Sequence, residues 1–224
     1  MLAIPTPASS PLLCTRLPRA PTASTSSADA SPSLRRTVTH TTLLPPTPIV
    51  HASQRLQLSI HAPATRLLND IAPVFPSIIN TQSQARPFLV LPVMFPTVHD
   101  LVASGADVDR ERDDVLEAFV AFGHELARRV RAKADACGAA GDDWWFDFTD
   151  PASGYPMLTA PGPSLYPDVH GAQALLRYDV MNVGCCKVLL HPTWGSKVYP
   201  ATCFSTAPAS VLVECIADLI VANE

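Results

Sequence analysis

Two adjacent thiols, Cys185 and Cys186, lie between Gly184 and Lys187 and run directly into Val188-Leu189-Leu190-His191. If this stretch is a strand, successive side chains point to opposite faces. Cys186, Val188 and Leu190 then share one side, and Cys185, Lys187, Leu189 and His191 the other. The first set is apolar or thiol throughout and is expected in the core. The second sets an ammonium and an imidazole beside a thiol. Such neighbours lower a thiol pKa and give a thiolate able to act as a nucleophile or a soft metal ligand. Cys185 is thus the candidate thiolate, with Lys187 and His191 beside it, and Cys186 is assigned to the core. The plain alternative is packing alone, because cysteine is among the most buried residue types.

The other routine uses of cysteine fit less well. Cys14, Cys137, Cys203 and Cys215 show no CxxC spacing, and neighbouring cysteines cannot easily chelate one tetrahedral zinc, so a zinc ribbon or finger is not expected. Six cysteines in 224 residues without regular spacing suggest reduced thiols in an intracellular compartment. The chain has no GxGxxG, no GxxxxGK[ST], no HExxH and no GxSxG, which weakens nucleotide-dependent and hydrolase readings. His124-Glu125 is read as a solvated helix face, and His170 as a loop residue.

The elements that must position these thiols are legible in outline. Residues 64 to 71 read as a short helix ending near Pro73, and Pro87 to Phe95 as a strand that Pro92 would place at an edge or bulge. From about Asp109 to Ala136, Val115, Leu116, Phe119, Val120, Gly123, Leu126 and Val130 recur at three- and four-residue steps. Acids gather at the start and bases at the end, which predicts a long amphipathic helix stopped by Cys137-Gly138. Residues 144 to 149 predict a strand running into a tight Asp150-Pro151-Ala152-Ser153-Gly154 turn. A loose Pro/Gly-rich stretch follows from Tyr155 to Gly171, then strands at about 175 to 181, 185 to 191 and 197 to 204. The last element is a helix capped by Thr206, with Val211, Leu212, Cys215, Ile216, Leu219 and Ile220 as its apolar stripe. Helices and strands mixed in this way predict an α+β layer structure.

With 47% hydrophobic residues, the chain can bury a substantial core. Residues 1 to 58 are dominated by Pro, Ser, Thr and Ala and are expected to be a disordered tail ahead of a single domain at 59 to 224. Before Asp70 the only acid is Asp29, against Arg16, Arg19, Arg35, Arg36, Arg55 and Arg66. This balance suits either an organellar transit peptide or a cytosolic tail, hence a mitochondrial or cytoplasmic location. No run of 18 apolar residues predicts a membrane span. The net charge of −4, with no basic cluster in the folded part, argues against nucleic acid as the main partner.

Taken in order, residues 145 to 154 (WFDFTDPASG), Gly184-Cys185-Cys186-Lys187-Val188 and His191-Pro192-Thr193-Trp194-Gly195 resemble the cobalamin trafficking proteins of the methylmalonic aciduria and homocystinuria type D family. The resemblance covers roughly residues 61 to 206. It implies a nitroreductase-like α+β sandwich of a mostly antiparallel sheet with helices that has lost its flavin site, and a non-enzymatic adaptor carrying cobalamin as transient cargo. The family's cobalt-coordinating thiolate falls on Cys185, with Lys187 and His191 near the bound cobalamin. The implied partner is the cobalamin-processing protein of the type C family, upstream of methionine synthase and methylmalonyl-CoA mutase. Residues 1 to 58 and the 156 to 171 loop depart from the family pattern. Two other classes stay open at this point. One is a thiol or flavin-dependent oxidoreductase, although no phosphate-binding loop for a flavin is evident. The other is a scaffold in which both cysteines only pack.

Overall fold

A computed structural model describes residues 40–79, 87–136, 144–184 and 186–221. Five strands build one sheet: β1 (Thr41–His51), β2 (Gln54–Ala62), β3 (Leu89–Pro96), β4 (Phe146–Phe148) and β7 (Val198–Ser205), in the order β1-β2-β3-β7-β4 with every pairing antiparallel. Two more strands, β5 (Asp179–Val183) and β6 (Cys186–Leu190), form a separate antiparallel ribbon. The helices are α1 (Thr65–Ile71), α2 (Pro76–Ile79), α3 (Ala106–Ala136), α4 (Asp168–Leu176) and α5 (Ala209–Val221). The α+β class is as the element pattern implies, and the mostly antiparallel sheet is as the family resemblance implies.

Strand alternation assigns the two faces of the sheet. Leu56, Leu58, Ile60, Leu91, Val93, Phe95, Ala201, Cys203, Phe146 and Phe148 face α3 and α5, where they meet Phe119, Phe122, Leu126, Leu212, Cys215 and Ile216 in the main core. On the opposite face Val90, Phe88 and Phe204 pack with Leu67, Ile71 and Phe75, while Met94 and Val198 pack with Ala172 and Leu189. Helix α3 reaches the sheet closely because position 123 is glycine: a Cβ there would lie 2.7 Å from the Phe148 ring.

Pro92 lies in a central strand, contrary to the edge or bulge expected of it. Thr202, its partner in β7, directs its carbonyl to Thr149 on the β4 side (3.2 Å), so the Pro92–Thr202 pair exchanges no ladder hydrogen bond. The nitrogen of Pro92 therefore points toward β2, and there the pairing skips Ser59 and Ile60 between Leu58↔Val93 and His61↔Val90, with the register kept. The missing donor falls where no ladder bond is formed.

The sheet also begins earlier than the expected boundary at residue 59, since β1 and the first half of β2 come from the stretch assigned to the tail. Pro45, Pro46 and Pro48 are tolerated because β1 is an edge strand with register shifts near them. The β1–β2 turn uses Ala52 and Ser53, both at positive φ (47° and 68°), instead of the Asn-Gly pair that would have announced it. The start of the chain, with Cys14 and the transit-peptide reading, and the Cys137-Gly138 stop lie outside the described residues. Part of the stretch read as loop and strand, from 168 to 176, is helix α4, so the following strand starts at Asp179. Thr206 does not cap α5, because its hydroxyl accepts the Trp145 N–H (3.0 Å) at the end of the β4–β7 ladder.

Candidate functional site: the β5–β6 ribbon

β5 and β6 pair from Asp179↔Leu190 through Met181↔Val188 to Val183↔Cys186, leaving only Gly184 and Cys185 between the strands in sequence. Gly184 has φ +60°, with open space where a Cβ would stand, so the connection is a tight one. Cys185 itself lies outside the described residues. Its neighbours are solvent-exposed: Val183, Gly184, Cys186 and Lys187.

Cys186 is therefore exposed and not part of the core. Strand alternation failed here because only one end of the ribbon is packed. Val188 and Leu189, adjacent in sequence, are both buried, with Leu189 among Met94, Ala172 and Val198. Beyond them the strands extend past the protein body and neither face is covered. The remaining described thiols are poor candidates for chemistry. Cys203 and Cys215 are buried, and burial raises the first well above its ordinary pKa and the second to about 11.

His191 closes the packed end. It is 4% exposed, and its ring stacks on Trp194 at 3.9 Å and 13°. Its Nδ1 accepts the backbone N–H groups of Thr193 (3.2 Å) and Trp194 (3.3 Å), which leaves Nε2 as the protonated nitrogen, donating to Gln57 Oε1 at 2.9 Å. Burial lowers its pKa and favours this neutral tautomer. The exposed imidazole expected beside a thiol is thus an internal brace with both nitrogens engaged. Trp194 completes the same turn, which is closed by reciprocal 2.8 Å hydrogen bonds between the backbones of His191 and Gly195. Lys187 stays exposed on the ribbon, opposite Asn182. The structure thus brings Lys187 to the thiol-bearing end and holds His191 at the other.

Two features escaped sequence reading. Gln57 is far away in sequence and carries no motif signal. Asp147 looked like one residue of a strand, yet its buried carboxylate accepts N–H groups of Leu158 (2.9 Å) and Thr159 (3.0 Å) and so pins the loop beyond the Asp150 turn. His124 is exposed, and Glu125 is engaged by Arg128 and Arg129, as a solvated helix face requires. Among the described residues no cluster of His, Cys, Asp or Glu could hold a metal ion, and no helix is long and apolar enough to cross a membrane.

Fold and site define a layered α+β protein that presents a cysteine-bearing hairpin from a closed core, with no preformed metal cage among the described residues. The chain belongs to the methylmalonic aciduria and homocystinuria type D protein family, whose model matches residues 45–216. It is 27% identical over 157 residues to the cobalamin trafficking protein CblD of Rattus norvegicus, covering 70% of this chain and 48% of that protein. Against the Homo sapiens protein of the same name it is 26% identical over 155 residues (69% and 48%), and against that of Gallus gallus 26% over 156 (68% and 47%). The chain spans about half the length of the curated relatives it matches.

Proposed function

We propose that this protein is a cobalamin trafficking adaptor that accepts processed cobalamin through the Cys185 thiolate and passes it on, without catalysing a reaction of its own. The observation that carries the reading is the family match at residues 45–216, which includes a hairpin whose exposed residues flank Cys185. Relatives named for cobalamin trafficking support the cargo.

The chemistry asks little of the protein. The Cys185 thiol gives its proton to water, and a sulfur lone pair then forms a bond to an axial position of the corrinoid cobalt. No electron need move, and reversal releases the cargo. Soft, anionic sulfur suits such a metal, and the neighbouring Lys187 ammonium favours the thiolate over the thiol. His191 contributes by holding the base of the hairpin. A tight exposed turn also allows approach by a large planar ligand that no enclosed cavity would admit. On this reading the sheet and helices correspond to a nitroreductase-like sandwich without a working flavin site. The donor is a cobalamin-processing protein of the type C family, and the recipients are the methionine synthase and methylmalonyl-CoA mutase branches in cytosol and mitochondrion.

The test is the visible and electron paramagnetic resonance spectrum of cob(II)alamin mixed with the full chain and the processing protein, for wild type, Cys185→Ser and Cys186→Ser. A thiolate-type cobalt signal lost only in Cys185→Ser supports the adaptor. An unperturbed spectrum in every mixture overturns it. Bound flavin with turnover of an electron donor would favour the oxidoreductase alternative.

A further inference from the structure

The β5–β6 ribbon forms its own two-stranded sheet, so side chains of α4 and of the main sheet hold it to the body. One residue of that sheet reaches both strands at their shared base. Tyr178 immediately precedes β5, and His191 immediately follows β6. The Tyr178 hydroxyl donates to Gln57 Oε1 at 3.1 Å, and His191 Nε2 donates to the same oxygen at 2.9 Å. The two rings meet edge to face at 5.1 Å and 85°.

The geometry also fixes the chemistry of the contact. His191 Nδ1 is occupied as an acceptor by two backbone N–H groups, so Nε2 must be the donor and the atom facing it must be an acceptor. Gln57 therefore presents its carboxamide oxygen, whose two lone pairs match the two donors. Gln57 lies in β2 opposite Met94 of β3, and Met94 packs with Leu189 of β6. The polar clasp and the apolar contact thus stand side by side under the base of the ribbon.

We infer that Gln57 is the positioning residue of the thiol-bearing hairpin, one carboxamide oxygen setting the angle at which both strands leave the protein body. Its functional weight rests on the adaptor reading above. Five strand residues carry the ribbon about 17 Å from base to turn, so a tilt of about 10° at the base moves the turn by about 3 Å. A metal-ligating side chain needs placement within about 0.5 Å.

The experiment uses the full chain as wild type, Gln57→Leu, which keeps volume but removes the acceptor, and Gln57→Glu, which restores an acceptor. Tyr178→Phe removes one donor and keeps the ring. Native-state hydrogen exchange is read at the amides of β5 and β6 against those of β3 and β7. Alongside it are measured the alkylation rates of Cys185 and Cys186 and the cob(II)alamin spectrum with the processing protein. Two net hydrogen bonds correspond to a change of about 10- to 30-fold. Gln57→Leu is expected to lower ribbon protection by that factor, leave β3 and β7 within twofold, change the alkylation rates and weaken the cobalt signal. Tyr178→Phe should give a smaller change in the same direction, and Gln57→Glu should return the ribbon to wild-type protection. Equal loss in ribbon and sheet, or ribbon protection and alkylation within twofold of wild type in Gln57→Leu and Tyr178→Phe, overturns the assignment. A wild-type protein that gives no cobalt signal overturns the adaptor reading instead, while the exchange data still decide the clasp.

Discussion

Asp168→Asn is expected to stabilise this protein at neutral pH, although it removes a carboxylate from the first turn of a helix. Asp168 opens α4, is 8% exposed, and accepts a 2.6 Å hydrogen bond from the Thr202 hydroxyl. Burial, with a smaller push from the Asp150 carboxylate, raises its pKa from 3.8 to about 7, against the lowering effect of the Thr202 hydrogen bond. The folded protein thus binds this proton more tightly than the unfolded chain does. The stability gained is fully present below pH 3.8 and is lost as pH rises through about 7. At about 1.4 kcal/mol per pH unit, the ceiling is about 4 kcal/mol. The attraction of a carboxylate to a helix N-terminus offsets only about 0.3–1 kcal/mol of it. Asparagine has the same shape, keeps an oxygen for Thr202 and has no charge to bury. The variant should match wild type near pH 4 and exceed it by about 2–4 kcal/mol at pH 8, measured by urea unfolding across that range. A stability difference that does not change with pH, or a variant weaker than wild type at pH 8, refutes the reasoning.

The other expectations concern the same core. His61 is 1% exposed between Thr42 and Ser59, and burial with His40 nearby lowers its pKa from 6.5 to about 4. Its contribution has the opposite sign, present above pH 6.5 and lost as pH falls toward 4. Relative to His61→Gln, wild type should therefore lose about 2–3 kcal/mol as pH falls over that window, by the same unfolding titration; Asp168 acts equally in both proteins and drops out of the difference. Gly123→Ala drives a methyl into the Phe148 ring and should cost about 1–3 kcal/mol, despite the better helix propensity of alanine, measured by thermal melting. Asp147→Ala leaves the N–H groups of Leu158 and Thr159 without their acceptor. It should cost about 3 kcal/mol and speed limited proteolysis between residues 155 and 165; cleavage at the wild-type rate would contradict the pinning role.

Signals that depend on neighbours in sequence were the readable ones. The apolar spacing of α3 survives as a buried stripe from Val115 to Val130, and that of α5 as Leu212, Cys215, Ile216 and Leu219. The turn after β4 forms with Asp150 accepting from Ser153 and Gly154, as its Asp, Pro and Gly positions imply. β1 was hidden because its prolines and its Ala52-Ser53 turn both contradict local strand statistics, and only its edge position makes them acceptable. Helix α4 was hidden by the Pro and Gly just before it; its Ala172 and Leu175 become informative only once β6 and α1 lie against them.

By itself the sequence determined the α+β class, the amphipathic helices and the motifs that carry the family, since each is written in residue type and short-range spacing. Only the tertiary structure decided that Pro92 sits in the middle of the sheet, that Cys186 faces solvent and that His191 braces the hairpin through Gln57. The physical reason is the same in all three cases. Which strand lies beside Pro92, where the ribbon leaves the body and which oxygen meets an imidazole 134 residues away depend on contacts between distant segments. Strand alternation can say that two side chains point apart, but not which of them the rest of the chain will cover.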